Sequence, residues 1–149
     1  MMLFPHFWLK PKYSKSLFPY LLYPLVIVWI CLSKIKILGT SPTESTVPII
    51  CVGNITIGGN GKTPTVLKLR SILENIGYRP HILTRGYKAR VKGPHLVNPI
   101  SDNCLDVGDE ALMMSSYAPT WVSRNRRSGI QSAVSSGADM IILDDGFQN

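Results

Sequence analysis

Two hydrophobic regimes divide the chain. Residues 17–32 read L-F-P-Y-L-L-Y-P-L-V-I-V-W-I-C-L, sixteen positions without a charge. After the polar, turn-rich stretch T-S-P-T-E-S-T at 40–46, short apolar runs alternate with segments whose apolar residues recur every three or four positions. The run Val47–Val52 predicts a buried strand from its length and composition. In Lys62–Ile76 the apolar residues Val66, Leu69, Leu73 and Ile76 mark one face of a helix, and Gly77 suits its end. His81–Thr84 predicts a second strand, and residues 86–105, with Gly86, Gly93, Pro94 and Pro99, a loop or small hairpin. A helix is expected from Asp109 through A-L-M-M-S-S-Y, a weak strand at P-T-W-V-S, a helix from Arg127 to Ser136 closed by Gly137, and a strand at M-I-I-L-D-D, residues 140–145. Strands alternating with helices imply parallel βαβ units, hence an α/β fold with a parallel sheet flanked by helices. The resulting divisions are a hydrophobic segment at 1–39, a linker at 40–46 and an α/β domain at 47–149, with no internal repeat.

The first segment is short of the roughly 20 apolar residues that a spanning helix needs. Pro19 and Pro24 interrupt it, and lysines flank it on both sides, so no orientation follows from charge. Four readings are open: a cleaved signal peptide, a spanning anchor, a helix lying in or dipping into the cytoplasmic leaflet, and a helix buried in its own domain. Residues 33–43 lack a small-x-small cleavage site, which counts against the first. Trp8, Tyr13, Tyr20, Tyr23 and Trp29 are rings suited to the headgroup zone, which favours membrane association.

Charge sharpens this picture. The 149-residue chain carries a formal charge of +7, with 45% hydrophobic and 17% charged residues. Lys10, Lys12, Lys15, Lys34 and Lys36 precede every acidic residue; the other eleven basic residues against nine acidic ones leave a net +2 for the rest. Basic residues gathered around an apolar segment fit anionic lipid, and nucleic acid is not expected as a partner. Cys31, Cys51 and Cys104 are widely spaced, without a CxxC pair, and His6, His81 and His95 have no metal-ligand spacing. Buried or half-buried thiols in a reducing compartment and no zinc site are the expectation.

The chemistry concentrates at T-I-G-G-N-G-K-T, residues 56–63, between the first strand and the first helix of the domain. It matches the phosphate-binding pattern G-x-x-x-x-G-K-[ST] except that Thr56 stands first. Gly58, Gly59 and Gly61 let the backbone approach phosphate oxygens, Lys62 suits the β- and γ-phosphates, and Thr63 offers a hydroxyl to Mg²⁺. I-I-L-D-D at 141–145 supplies a second half: a carboxylate at the end of a neighbouring strand can reach the same ion, which makes Asp144 and Asp145 candidates beside Thr63. T-R-G-Y at 84–87 follows a strand and so falls on the ligand-binding edge of such a sheet. V-G-D-E at 107–110 either places carboxylates in a site or favours a helix start. S-R-N-R-R at 123–127 either neutralises phosphate or is a solvated turn.

Taken together, V-G-N-I-T-I-G-G-N-G-K-T-P at 52–64, T-R-G-Y, V-G-D-E, I-L-D-D-G-F-Q at 142–148 and the aromatic, proline-broken N-terminus resemble the tetraacyldisaccharide 4'-kinase family, the lipid A 4'-kinases of Gram-negative bacteria. Threonine at the first loop position is itself a feature of that family. The resemblance implies a P-loop NTPase-like fold and ATP- and Mg²⁺-dependent transfer of a phosphoryl group to the 4'-hydroxyl of a lipid-linked glucosamine disaccharide. It places that reaction on the cytoplasmic face of the inner membrane, with the N-terminal helix bringing the enzyme to its lipid. It assigns Thr56, Ile57, Gly58, Gly59, Asn60, Gly61, Lys62 and Thr63 to ATP, and Thr63, Asp144 and Asp145 to Mg²⁺. Asp109 becomes the carboxylate that activates the acceptor hydroxyl, and Arg85, Tyr87, Arg126 and Gln148 line the site. Ala111 and Asn149 depart from the family's proline and histidine. Members are about twice this length, so the expectation is a fragment whose sheet stops after the Walker-B-like strand, leaving an edge there. The alternative is a truncated, inactive remnant that binds membrane and nucleotide. A GTPase reading lacks its N-K-x-D motif in the visible chain.

Overall fold

The computed structural model describes residues 21–38, 45–53 and 61–144. The chain divides into a unit of residues 1–42 and a unit of residues 43–149. In the first, helix α1 spans Tyr23–Leu38. Pro24 sits in its first turn, where no intrahelical donor is missed, and Leu22 just before the helix is a turn. Consecutive apolar residues from Leu25 to Ile30 cover every side of this helix; Leu25 is 66% and Trp29 73% exposed. This stretch is apolar all round, whereas Lys34 and Lys36 bring charge to the helix further on. Among the described residues, no helix is long and apolar enough to cross a membrane.

The second unit contains β1 (Ile49–Val52), α2 (Lys62–Asn75), β2 (Pro80–Thr84), β3 (His95–Leu96), α3 (Cys104–Val107), α4 (Asp109–Ser115), β4 (Thr120–Val122), α5 (Arg126–Ser135) and β5 (Met140–Asp144). The five strands form one sheet in the order β1-β5-β2-β4-β3. β1, β5, β2 and β4 are parallel, with Ile50 opposite Ile142 and Ile82 opposite both Ile142 and Thr120. Their apolar runs are continuous because both faces of the sheet are covered. On one face Val66 and Leu73 of α2 and Met114 of α4 pack on Ile82, Met140 and Ile142. On the other, Ile130 and Ala133 of α5 pack on Leu83, Ile141 and Leu143.

Four expectations change. Cys31, Cys51 and Cys104 are exposed, not buried or half-buried. The sheet is not wholly parallel: β3 runs antiparallel to β4, His95 opposite Val122. Residues 86–105 form no hairpin of their own, because β3 finds its partner at residues 121–122 and the stretch ends in α3. The Asn103 side chain starts α3 by accepting from the N–H groups of Leu105 and Asp106, both at 3.0 Å. The strand that ends in Asp144 is not an edge either. β5 lies between β1 and β2, and the sheet's outer strands are β1 and β3.

The opposite end of the sheet is tied by Arg79, whose N–H donates to Asp139 Oδ1 at 2.6 Å. Beside it, Trp121 Nε1–H donates to His81 Nδ1 at 3.2 Å, so this imidazole is held as a neutral acceptor. Desolvation pushes the His81 pKa below its ordinary value; Asp139 opposes that shift and Arg79 adds to it. The neutral form is therefore favoured on folding, and its contribution is complete above the unfolded value of about 6.5 and is lost as pH falls below it. We expect the urea midpoint to fall between pH 7 and pH 5, with the His81 ring resonances titrating below about 6.5; titration at or above that value contradicts this packing.

Candidate active site

Parallel strands deliver their C-terminal ends to one edge, and the described candidates other than Asp109 lie there or on the segment after a strand end, while Asp109 opens α4 after α3. β1 leads into the loop before α2. Residues 54–60, and with them the expected phosphate contacts Thr56, Ile57, Gly58, Gly59 and Asn60, lie outside the described residues, as do Asp145 and Gln148. The helix start beyond the loop is described. Gly61 has φ 70, a left-handed conformation that glycine adopts without strain, and Lys62 and Thr63 open α2. Pro64 sits in that first turn, and Thr65 N–H donates to the Gly61 carbonyl at 3.1 Å. Gly61, the N-cap of α2, offers no side-chain cap, and the N-terminus of a helix is a setting that suits an anion.

Asp144 ends β5 and is 4% exposed. Val52, the last residue of β1, is its register partner, so this carboxylate stands beside the strand that feeds the loop. Among the described residues no three His, Cys, Asp or Glu side chains cluster as a metal cage. A threonine hydroxyl and a strand-end carboxylate are nevertheless hard oxygen donors of the kind that Mg²⁺ takes together with phosphate and water. The donor set fits.

Two further motifs converge in space. A cleft of about 170 Å³ is lined by Thr84, Gly86 and Tyr87 from the end of β2 and by Val107, Gly108, Asp109 and Glu110 from the α3–α4 junction. Glycine is needed where they meet. Gly86 has φ 69, and a Cβ there would stand 2.5 Å from Val122 Cγ1. Gly108 has φ 90, and a Cβ would stand 3.2 Å from the Tyr87 carbonyl. Asp109 and Glu110 open α4, the helix start that V-G-D-E favours, and both residues line the cleft.

The segment after Tyr87 is fastened on two sides. Val91 N–H donates to the Asp106 carbonyl at 3.0 Å, and Arg124 N–H donates to the Lys92 carbonyl at 2.9 Å. Ser123 N–H donates to the Thr84 carbonyl at 3.0 Å, which joins the ends of β4 and β2. Arg126 is the first residue of α5, whose Asn125 cap accepts from Ser128 N–H at 3.3 Å. S-R-N-R-R is thus a strand end and a capped helix start. Tyr87 and Asp109 share the cleft; Arg85 precedes Gly86 and is exposed; Lys62, Thr63, Arg126 and Asp144 are placed by their strand ends. Lys88, which the motifs did not single out, also lines the cleft.

The family model described as tetraacyldisaccharide-1-P 4'-kinase matches residues 18–149. The chain belongs to this family. Tetraacyldisaccharide 4'-kinase sequences from Parvibaculum lavamentivorans and Rhodospirillum centenum are 46% and 42% identical over 146 residues, 97% of this chain. The chain spans 43% of the length of each. A crystal structure of LpxK from Aquifex aeolicus in complex with ATP superposes with a TM-score of 0.70 at 33% identity, covering 89% of this chain and 44% of that one. The mixed α/β architecture of this tetraacyldisaccharide-1-P 4'-kinase family member is similar to that of the Aquifex aeolicus protein.

Proposed function

We propose that these residues form the nucleotide-binding and hydroxyl-activating part of an ATP- and Mg²⁺-dependent kinase acting on the 4'-hydroxyl of a tetraacyldisaccharide 1-phosphate. One observation carries the reading: the strand ends that place Lys62, Thr63 and Asp144 belong to the same sheet edge as the cleft holding Tyr87 and Asp109. ATP as donor is supported by the ATP complex of the Aquifex aeolicus relative. Lys62 and the first N–H groups of α2 bind the phosphates and hold them in line. Thr63 and Asp144 are the described residues that would hold a Mg²⁺ ion, which would supply neutralisation of the charge on the transferring phosphoryl group. Asp109 accepts the proton of the attacking hydroxyl, and Arg85 and Arg126 supply positive charge at the rim of the site. The site works on the cytoplasmic face of the inner membrane, where the Leu25–Ile30 stretch of α1, apolar on every side, enters the leaflet that holds the lipid-linked acceptor.

The test is Asp109→Asn in the complete gene product that carries these residues. We expect kcat for transfer to the disaccharide to fall about 10²- to 10⁴-fold, with the Kd for ATP unchanged. An unaltered kcat removes Asp109 from proton transfer.

A further inference from the structure

Residues 86–89 form a turn in which Ala89 N–H donates to the Gly86 carbonyl at 3.1 Å. Lys88 is its third residue and has φ 60, the one non-glycine residue with positive φ among the described residues. A negative φ at Tyr87 followed by a positive φ is the type II pattern, whose third position favours glycine or asparagine. Lysine gains nothing locally there: its Cβ crowds the backbone, and its side chain carries no polar group close enough to bond its own turn. An uncommon residue in a strained conformation points to a role for its side chain.

That side chain lines the cleft with Tyr87, Asp109 and Glu110. Its Nζ lies 5.4 Å from the centre of the Tyr87 ring. Such a contact holds the ammonium near the ring and leaves its N–H donors available to a ligand. Tyr87 is 78% exposed, so the pair sits at the cleft's mouth. Two carboxylates share the cleft, and a phosphate entering it needs a cation to offset them.

We propose that Lys88 is a specificity-determining residue, the cation that binds a phosphate group brought into the cleft beside Asp109. This rests on the kinase reading above. Lysine is a compact point charge suited to phosphate, and a charge-assisted bond of this kind is worth about tenfold or more in binding. The phosphate belongs either to the acceptor's 1-position or to the nucleotide, and the experiment separates the two.

Lys88→Gly, made in the complete gene product, removes the ammonium and relieves the backbone, so the melting temperature stays the same or rises. With tetraacyldisaccharide 1-phosphate as acceptor, the expected result is a KM about tenfold higher or more, with kcat changed by less than about twofold. Lys88→Arg recovers much of the loss, and an acceptor lacking the 1-phosphate shows no difference between wild type and variant. A rise in the KM for ATP with both acceptors assigns the same contact to the nucleotide's phosphates. Unchanged KM values for both substrates in a folded Lys88→Gly protein overturn the proposal. Wild-type protein that binds ATP yet leaves the acceptor unphosphorylated overturns the kinase reading itself, and the proposal with it.

Discussion

Replacing Lys62 by alanine is expected to lower phosphoryl transfer by about 10²- to 10³-fold, the usual cost of removing one preorganised charge or donor from developing negative charge. Lys62 is the first residue of α2, directly after left-handed Gly61, so on the proposed reading its ammonium starts at the helix end that meets the nucleotide's phosphates. The loss should appear in kcat more than in the KM for the disaccharide, because the contact is to phosphate and not to sugar. The fold should survive: the core residues of α2 are Val66 and Leu73, one and three turns further on, and alanine is a good helix former. Steady-state kinetics with ATP varied, beside a denaturation curve, check both halves. Full activity in a folded variant contradicts the assignment of residues 56–63 to ATP.

The second large effect is on stability. Ile142 is fully buried in the middle of β5, paired with Ile50 on one side and Ile82 on the other and covered by the Val66–Leu73 face of α2. Truncation to alanine leaves a cavity that flanking strands cannot close, and a loss of about 2–5 kcal/mol is expected. That is a large share of the roughly 5–15 kcal/mol that holds a domain together. Asp144 stands two residues further along the same strand and points to the same face, so ATP affinity measured with Mg²⁺ present should weaken in parallel. An unchanged urea midpoint would show that β5 is not the centre of the sheet.

The features legible in the sequence were local ones. The five-residue run ending at Asp144 is apolar up to that carboxylate because both its faces are covered, and it reads as a strand for that reason. The Val66–Leu73 spacing reads as a helix because one face of α2 meets the sheet. The motifs were legible too, and V-G-D-E and all of T-R-G-Y except Arg85 line one cleft. Pairing was hidden. His95–Leu96 is too short to show a strand pattern, and it becomes β3 only because Trp121 and Val122 are there to receive it. The position of β5 between β1 and β2 is set by contacts between residues far apart in the chain, Ile49 with Ile141 and Pro80 with Met140. The left-handed Lys88 was equally unreadable, since it contradicts the residue preference of its own turn. α3 had a signal in Asn103, a good cap, but four residues give no period to detect.

Phosphoryl transfer to a sugar hydroxyl at this sheet edge is tested most directly by ³¹P and ¹H NMR of the reaction product. The complete gene product is incubated with ATP, Mg²⁺ and tetraacyldisaccharide 1-phosphate. A new phosphomonoester coupled to the proton at the 4'-position, absent when Lys62 is alanine, is the predicted result. ATP binding with the disaccharide left unchanged, or phosphate appearing at another hydroxyl, would contradict it.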